Sequence, residues 1–297
     1  MKNTPKADIG ILGGSGLYQM EGLEHIREVR LTTPFGRPSD AIVLGRLGGR
    51  GVAFLARHGR GHRIPPTAIN YRANIYALKS LGVSKVFSVS AVGSMKESIK
   101  PGHLVLPDQF IDRTTQRVGT FFDQGVVAHV AFSDPTCARL SDVLAKASQE
   151  EGVTVHRSGT YVCIEGPQFS TRAESNLYRQ WGVDVIGMTN IPEAKLAREA
   201  ELCYATIALV TDYDCWHETE EAVSVGAILS IMKRNVEVAQ RVLRKSIDLI
   251  QRLASCPCQS ALDHAVITAQ EVITPAFRKR FQLLLQHRLK KTTKNKR

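Results

Sequence analysis

The chain has 297 residues, 43% hydrophobic and 23% charged, a balance that suits a folded chain of one large or two ordinary domains and excludes a disordered one. Its formal charge of +11 suggests a polyanion partner, but Arg278, Lys279, Arg280, Arg288, Lys290, Lys291, Lys294, Lys296 and Arg297 carry nine of those charges with no acid among them, which predicts a solvated basic tail on a nearly neutral body and no nucleic-acid partner for the whole chain. No apolar run approaches the roughly 18 residues that span a bilayer and no leader pattern opens the chain, so a soluble, cytoplasmic protein with no membrane partner is expected.

Residues 8–18, DIGILGGSGLY, read as a buried strand running into a tight turn at Gly13-Gly14-Ser15-Gly16. A dinucleotide fingerprint would need glycine where Gln19 stands, and a P-loop would need a Gly-Lys-Ser/Thr that does not follow. A turn that holds one small anion on the Ser15 hydroxyl and backbone N–H groups, or a plain corner, remains. VAFLARHG (52–59) and KVFSVSAVGS (85–94) are strand-like. Between them a stretch opening on Pro65-Pro66 and closing at Gly82 places Ile69, Ala73, Tyr76 and Leu81 near one helix face. Leu140, Val143, Leu144 and Ala147 mark another helix, and 153–167 alternates as a strand. TRAESNLYRQWG is helical, VDVIGMT a strand, PEAKLAREAE helical and CYATIALVTDYD (203–214) a strand. From Ala227 to Leu253 a stripe of Ile228, Met232, Val236, Ala239, Leu243, Ile247 and Ile250 predicts one long amphipathic helix, and a weaker helix near PAFRKRFQLLLQHRL carries the basic tail. This order favours one α/β domain over 1–255 with a C-terminal appendage over 256–297. The six cysteines are scattered and require no disulfide framework.

Three groups of residues carry chemistry. Arg57 and His58 follow one predicted strand, Ser90 and Ala91 lie near the end of the next, and Thr189 follows VDVIGM. Strand ends of an α/β sheet converge, so these residues and Ser15 can surround one phosphate, with the arginine fork giving paired charge-assisted bonds. In TDYDCW, Asp212 and Asp214 would share one side if the strand continued, or form an ordinary polar loop. No His or Cys is convincingly spaced as a ligand around them, so no metal is expected. In EGPQFSTRAES, Phe169 either stacks on a flat ring or staples the start of a helix from the core.

The ordered motifs GILGGSGLY, TPFGRPSD, ARHGRGH, NYRANIYALKSLG, SAVGSMKESIKPGHLVLPDQFIDRT, IEGPQFSTRAES, GMTNIPEAKLARE and TDYDCWHETEEAVSV resemble the purine nucleoside phosphorylase superfamily, and within it the 5'-methylthioadenosine phosphorylase family, over roughly residues 8–250. The resemblance implies a central mixed, partly barrel-like sheet flanked by helices. It implies phosphate at Ser15, Arg57, His58, Ser90, Ala91 and Thr189. Purine would lie against Phe169 and Ser170, with ribose near Met188. A methylthio pocket would involve Val225, Ile228 and Leu229, with His129 reaching in from a neighbouring subunit of a trimer or multiple of trimers. Cys137 and Cys203 match positions that hold cysteine in related enzymes, and Cys256-Pro-Cys258 resembles a C-x-C pair that forms disulfides in heat-adapted relatives.

In the related 6-oxopurine enzymes Asn stands at the position of Asp212 and Glu at that of Ser170. A 6-amino group needs an acceptor, which Asp212 and Asp214 supply, so 6-aminopurine nucleosides are expected. The expected reaction is phosphorolysis of 5'-methylthioadenosine through an oxocarbenium-like ribosyl transition state. Asp212, held partly protonated by burial and by Asp214, would protonate or hydrogen-bond N7 while phosphate attacks C1'. Inorganic phosphate is the co-substrate and no cofactor is called for. The alternatives are a phosphorylase for methylthioinosine or 6-oxopurine nucleosides, a nucleosidase that uses water, and a non-catalytic nucleoside or nucleic-acid binder.

Overall fold

A computed structural model describes residues 6–14, 16–17, 19–217, 225–250, 256–286 and 288, with backbone alone at 225–230 and 232. Strand β1 (Ile9–Gly13) is buried at every residue and lies parallel to both β4 (Arg50–Ala56) and β5 (Lys85–Ser94), with Ile9 opposite Val52 and Lys85. A strand covered on both faces needs an unbroken apolar run, which is why IGIL reads without alternation. The parallel pairing also removes the plain hairpin corner as a reading of the glycine turn. Beyond β4, β3 (Ile42–Leu47) and β2 (Glu24–Val29) add antiparallel strands. β6 (Leu104–Val105), β7 (Gln109–Arg113), β8 (Val155–His156), β9 (Thr160–Ile164), β10 (Val185–Gly187) and β11 (Cys203–Asp212) complete one mixed sheet of eleven strands.

β5 organises that sheet. β11 runs parallel along one edge of it from Cys203 opposite Lys85 to Asp212 opposite Gly93. The other edge pairs with β1 only as far as Ser88 and with antiparallel β10 only at Gly93 and Ser94. Between those two partners, residues 89–92 have no strand beside them on that edge among the described residues. The sheet forks there, and the fork opens a cleft at the carboxyl ends of β1, β4 and β5, where ligands of open α/β sheets bind.

Helices cover both faces. On one, α1 (Tyr71–Ser80) packs on α4 (Asn190–Glu199), burying Leu12, Leu55, Ile75 and Leu78 together. On the other, α2 (Ala138–Glu150) and α5 (Val225–Leu249) pack on each other and on β11, burying Ile9, Ile11, Phe54, Phe87, Leu243 and Ile247. The period-2 pleat sends Ile11 and Leu12 to opposite cores. The predicted α1 face is buried at Ile69, Ala73 and Leu81, but the helix starts only at Tyr71. The Asn70 side chain accepts the Ala73 N–H at 3.1 Å and makes the cap there, while Pro66–Ala68 forms a separate short turn. Of the α5 stripe, Ala239, Leu243, Ile247 and Ile250 are buried; Ile228 and Met232 lie outside the described side chains.

Residues 256–286 return to the body through α6 (Pro275–Arg280), with Leu262, Phe281, Leu284 and Leu285 in the first core. Two of the basic-tail cations are tied down, Arg280 to Asp123 at 3.2 Å and Arg288 to Glu201 at 2.6 Å; residues 289–297 lie outside the described chain. No helix among the described residues is long and apolar enough to cross a membrane.

Candidate active site

The fork at β5 opens into a cavity of about 360 Å³. Its lining includes Gly14, Arg57, His58, Ser90, Ala91, Phe169, Ser170, Met188, Thr189, Asp212 and Asp214, so residues read from six separate stretches of sequence meet at one place. Ser15 lies outside the described residues, as do the side chains of Val225, Ile228 and Leu229. His129 is exposed, ties its N–H to Ala265 O at 2.8 Å, and does not line the cavity of its own chain.

One end of the cavity suits an oxyanion. Gly14 leaves open space where a Cβ would stand, and the adjacent Gly13 carbonyl accepts the Arg57 N–H at 3.0 Å, holding the ends of β1 and β4 together. The Ser90 and Thr189 hydroxyls lie 3.1 Å apart, both buried, with Tyr161 Oη 3.4 Å from Ser90. Thr189 is the first flanking residue of α4 and its side chain makes no helix cap, so its hydroxyl stays with the cavity.

Arg57 is where the structure departs from expectation. Its guanidinium is buried and its Nε and Nη2 donate to Glu193 at 2.7 and 2.9 Å. Nη2 also donates to Ser88 Oγ at 2.7 Å, and Nη1 to Val89 O at 2.9 Å on the open edge of β5. The paired fork expected for phosphate is thus given to a carboxylate inside the fold, and a single Nη1 hydrogen is left over. Glu193 in turn accepts from Ser88 Oγ and Tyr204 Oη. Burial opposes the Arg57 charge but Glu193 more than restores it, raising the guanidinium above its ordinary value.

His58 lies beside this pair. Burial, reinforced by Arg57 and His62, lowers its pKa to about 4, so the ring is neutral near pH 7. Nδ1 is 2.9 Å from the Ile64 carbonyl, which can only accept; the neutral ring therefore carries its proton on Nδ1 and keeps Nε2 as an acceptor. His62 stacks on His58 with ring centroids 4.1 Å apart.

At the other end, β11 stops pairing regularly between Val210 and Asp212, a bulge that re-aims the strand. The two aspartates are brought together by a tight turn rather than by strand alternation: Asp214 enters a short helical turn at φ 53° and donates its N–H to Asp212 Oδ1 at 2.8 Å. Gly93 makes room for this turn, since a Cβ there would lie 2.9 Å from Asp212 Oδ1 and 3.3 Å from Asp214 Cβ. Asp214 Oδ2 accepts from Ser175 Oγ at 2.6 Å and Ser170 Oγ at 3.2 Å. Burial nonetheless wins over those bonds and raises the Asp214 pKa.

Phe169 is 64% exposed at the cavity mouth. That removes the core-staple reading, and α3 (Arg172–Gln180) begins instead on a capping box between Thr171 and Glu174. An aromatic face left bare beside a cavity suits a planar ligand.

Sequence reasoning missed Glu193, His62 and Arg117. The buried Arg117 donates to Met188 O at 2.6 Å, to Ile191 O at 2.7 Å and to Glu165 Oε1 at 2.9 Å, and so holds the segment that presents Met188 and Thr189. A buried arginine at a strand end demands a buried carboxylate, which was the available signal for Glu193; Arg117 had none.

The sequence model of the Phosphorylase superfamily matches residues 8–248. The chain is 60% identical to S-methyl-5'-thioadenosine phosphorylase of Geobacter sulfurreducens, over 93% of this chain and 97% of that protein. It is 57% identical to the enzyme of the same name from Koribacter versatilis, over 94% and 96%. Among solved structures, a methylthioadenosine phosphorylase from an antarctic soil metagenomic library superposes with a TM-score of 0.91 at 52% identity, covering 94% of this chain and 99% of that one. Methylthioadenosine phosphorylase from Schistosoma mansoni in complex with adenine superposes with a TM-score of 0.79 at 35% identity, over 90% and 98%.

Proposed function

The chain belongs to the phosphorylase superfamily, and from that premise we propose that it is a pentosyltransferase that converts 5'-methylthioadenosine and phosphate to adenine and 5-methylthioribose 1-phosphate, in purine and methionine salvage. The relatives named above carry that activity in their names. The observation that carries the reading in this chain is the pairing, within one cavity, of a polar cradle at Ser90, Thr189, His58 and Arg57 with a half-buried acid at Asp214 beside the bare ring of Phe169.

In this reading phosphate is held by the Ser90 and Thr189 hydroxyls, the Ala91 backbone, the remaining Arg57 Nη1 hydrogen and the Ser15 turn, with a phosphate hydroxyl donated to His58 Nε2. Purine stacks on Phe169 and ribose lies on Met188. The acid expected at Asp212 is reassigned in this reading: both Asp212 oxygens already accept, from Thr211 Oγ1 and the Asp214 N–H, whereas burial raises Asp214, so Asp214 gives a proton or a hydrogen bond to N7 while Asp212 orients the turn and accepts from the 6-amino group. As the C1'–N9 bond breaks, its electrons pass to the purine and a phosphate oxygen closes on C1' from the opposite face. Held reactants and a general acid each lower the barrier by several kcal/mol in such sites, about 10²- to 10⁴-fold for the acid alone.

Phosphate is the co-substrate and the reaction as written needs no cofactor. Val225, Ile228 and Leu229 are assigned to the methylthio group, completed by His129 of a neighbouring copy in a cytoplasmic trimer or multiple of trimers; the exposure of His129 away from its own cavity is in keeping with that role. Residues 1–255 are assigned to the phosphorylase domain, in keeping with a superfamily match that ends at residue 248, and 256–297 to a C-terminal appendage whose described part is built into the first core through Leu262, Phe281, Leu284 and Leu285.

The test is adenine release from methylthioadenosine with and without phosphate, alongside methylthioinosine and inosine. Turnover is expected only with phosphate and fastest on methylthioadenosine. Equal release without phosphate would make the chain a nucleosidase, and a preference for inosine would overturn the assignment of Asp212 and Asp214.

A further inference from the structure

Four cysteines that lie far apart in the sequence meet at a second place, remote from the cavity. Cys137 precedes α2, Cys203 is the first residue of β11, and Cys256 and Cys258 flank Pro257 in the segment that follows α5. Cys137, Cys203 and Cys258 are buried and Cys256 half-buried. All four Sγ atoms lie within 4.8 Å of one another, Cys137 and Cys256 at 3.5 Å, and none is in a disulfide. None of the four lines the cavity described above.

We propose that these four sulfurs form a structural zinc site. Four thiolates at about 2.3 Å from one tetrahedral zinc stand about 3.8 Å apart, close to the spacing already present in the metal-free side chains. The donor set is all sulfur, which selects a soft or borderline ion such as Zn²⁺ over calcium or magnesium. Because the protein supplies all four ligands, no position is left for water or substrate, so the site holds structure and performs no chemistry.

The surroundings favour the charge this requires. Binding Zn²⁺ releases up to four thiol protons and leaves a net charge of −2 on the centre. Cys137 stands at the N-terminal end of a thirteen-residue helix whose first turn contains no acid, where the helix dipole stabilises thiolate. The backbone around the cluster is fixed before any metal arrives: Cys137 N–H donates to Tyr204 O at 2.8 Å and Cys203 N–H to Ser84 O at 3.0 Å.

Zinc there ties residues 256–258 to the starts of α2 and β11, which no disulfide joins among the described residues. The inference is independent of the reaction assigned to the cavity.

The test uses the full-length chain, purified without metal-affinity steps or chelators under reducing conditions. Elemental analysis is expected to return about one zinc per chain. Replacement by Co²⁺ should give the intense visible bands of a tetrahedral tetrathiolate. Cys256→Ser and Cys258→Ser should lose most of the metal, whereas Cys163→Ser, at a buried cysteine outside the cluster, should keep it. Should the serine variants fail to fold, zinc content and the Co²⁺ spectrum of the wild-type chain decide. Folded wild-type chain with no stoichiometric zinc after dialysis against Zn²⁺, a featureless Co²⁺ spectrum, or intact mass showing the four cysteines as two disulfides would each overturn the proposal.

Discussion

Glu193 holds Arg57 through two hydrogen bonds of 2.7 and 2.9 Å, with both side chains at most 2% exposed. Removing one partner of such a pair strands the other charge in a low-dielectric site. Glu193→Ala is therefore expected to cost about 3–5 kcal/mol of stability, read from urea unfolding. Glu193→Gln keeps the shape but leaves the guanidinium charge uncancelled, so the folded variant should bind phosphate more tightly than the wild type. Weaker phosphate binding in Glu193→Gln would show that the pair serves geometry alone.

His58 makes stability depend on pH. Its folded pKa of about 4 lies below the ordinary 6.5, so the unfolded chain binds more protons between those values and stability falls as pH drops through that window. The contribution is complete above pH 6.5 and lost by pH 4, on the order of 3 kcal/mol. His58→Asn, which retains a donor for Ile64 O, should flatten this part of the curve. Unfolding midpoints measured between pH 7 and 4 for both proteins check it; parallel curves would refute the shift.

Asp214→Asn keeps an acceptor for Ser170 and Ser175 but has no acidic proton. Turnover number should fall about 10²- to 10⁴-fold, with a smaller change in the KM for nucleoside. A loss confined to KM would move the acid elsewhere in the cavity.

Phe169 is exposed enough that its truncation should leave stability within about 0.5 kcal/mol. Lost stacking on a purine is worth roughly 1–3 kcal/mol, so Phe169→Ala should raise the nucleoside KM about 5- to 150-fold without altering the KM for phosphate.

Much of this was legible in the chain because buried strands announce themselves. IGIL, KVFSVSAVGS and CYATIALV are runs whose only stable place is a covered sheet, and the polar residues at their ends had to meet. What the sequence concealed was pairing in three dimensions. EHIREV carries no apolar face because β2 is exposed along its length, so its strand was invisible. Asp212 and Asp214 suggested strand alternation, whereas a bulge and a turn unite them. Glu193 stands 136 positions from Arg57, and the four clustered cysteines come from three distant elements, so no spacing rule reaches either.

The cancelled charge of Arg57 has one more consequence. With the guanidinium matched by Glu193, His58 neutral near pH 7 and two aspartates at the other end, the described lining of the cavity carries no uncancelled positive charge. Phosphate is captured there by short-range dipoles once it arrives, so the salt dependence of its encounter comes from the charge of the whole chain and not from the cavity wall.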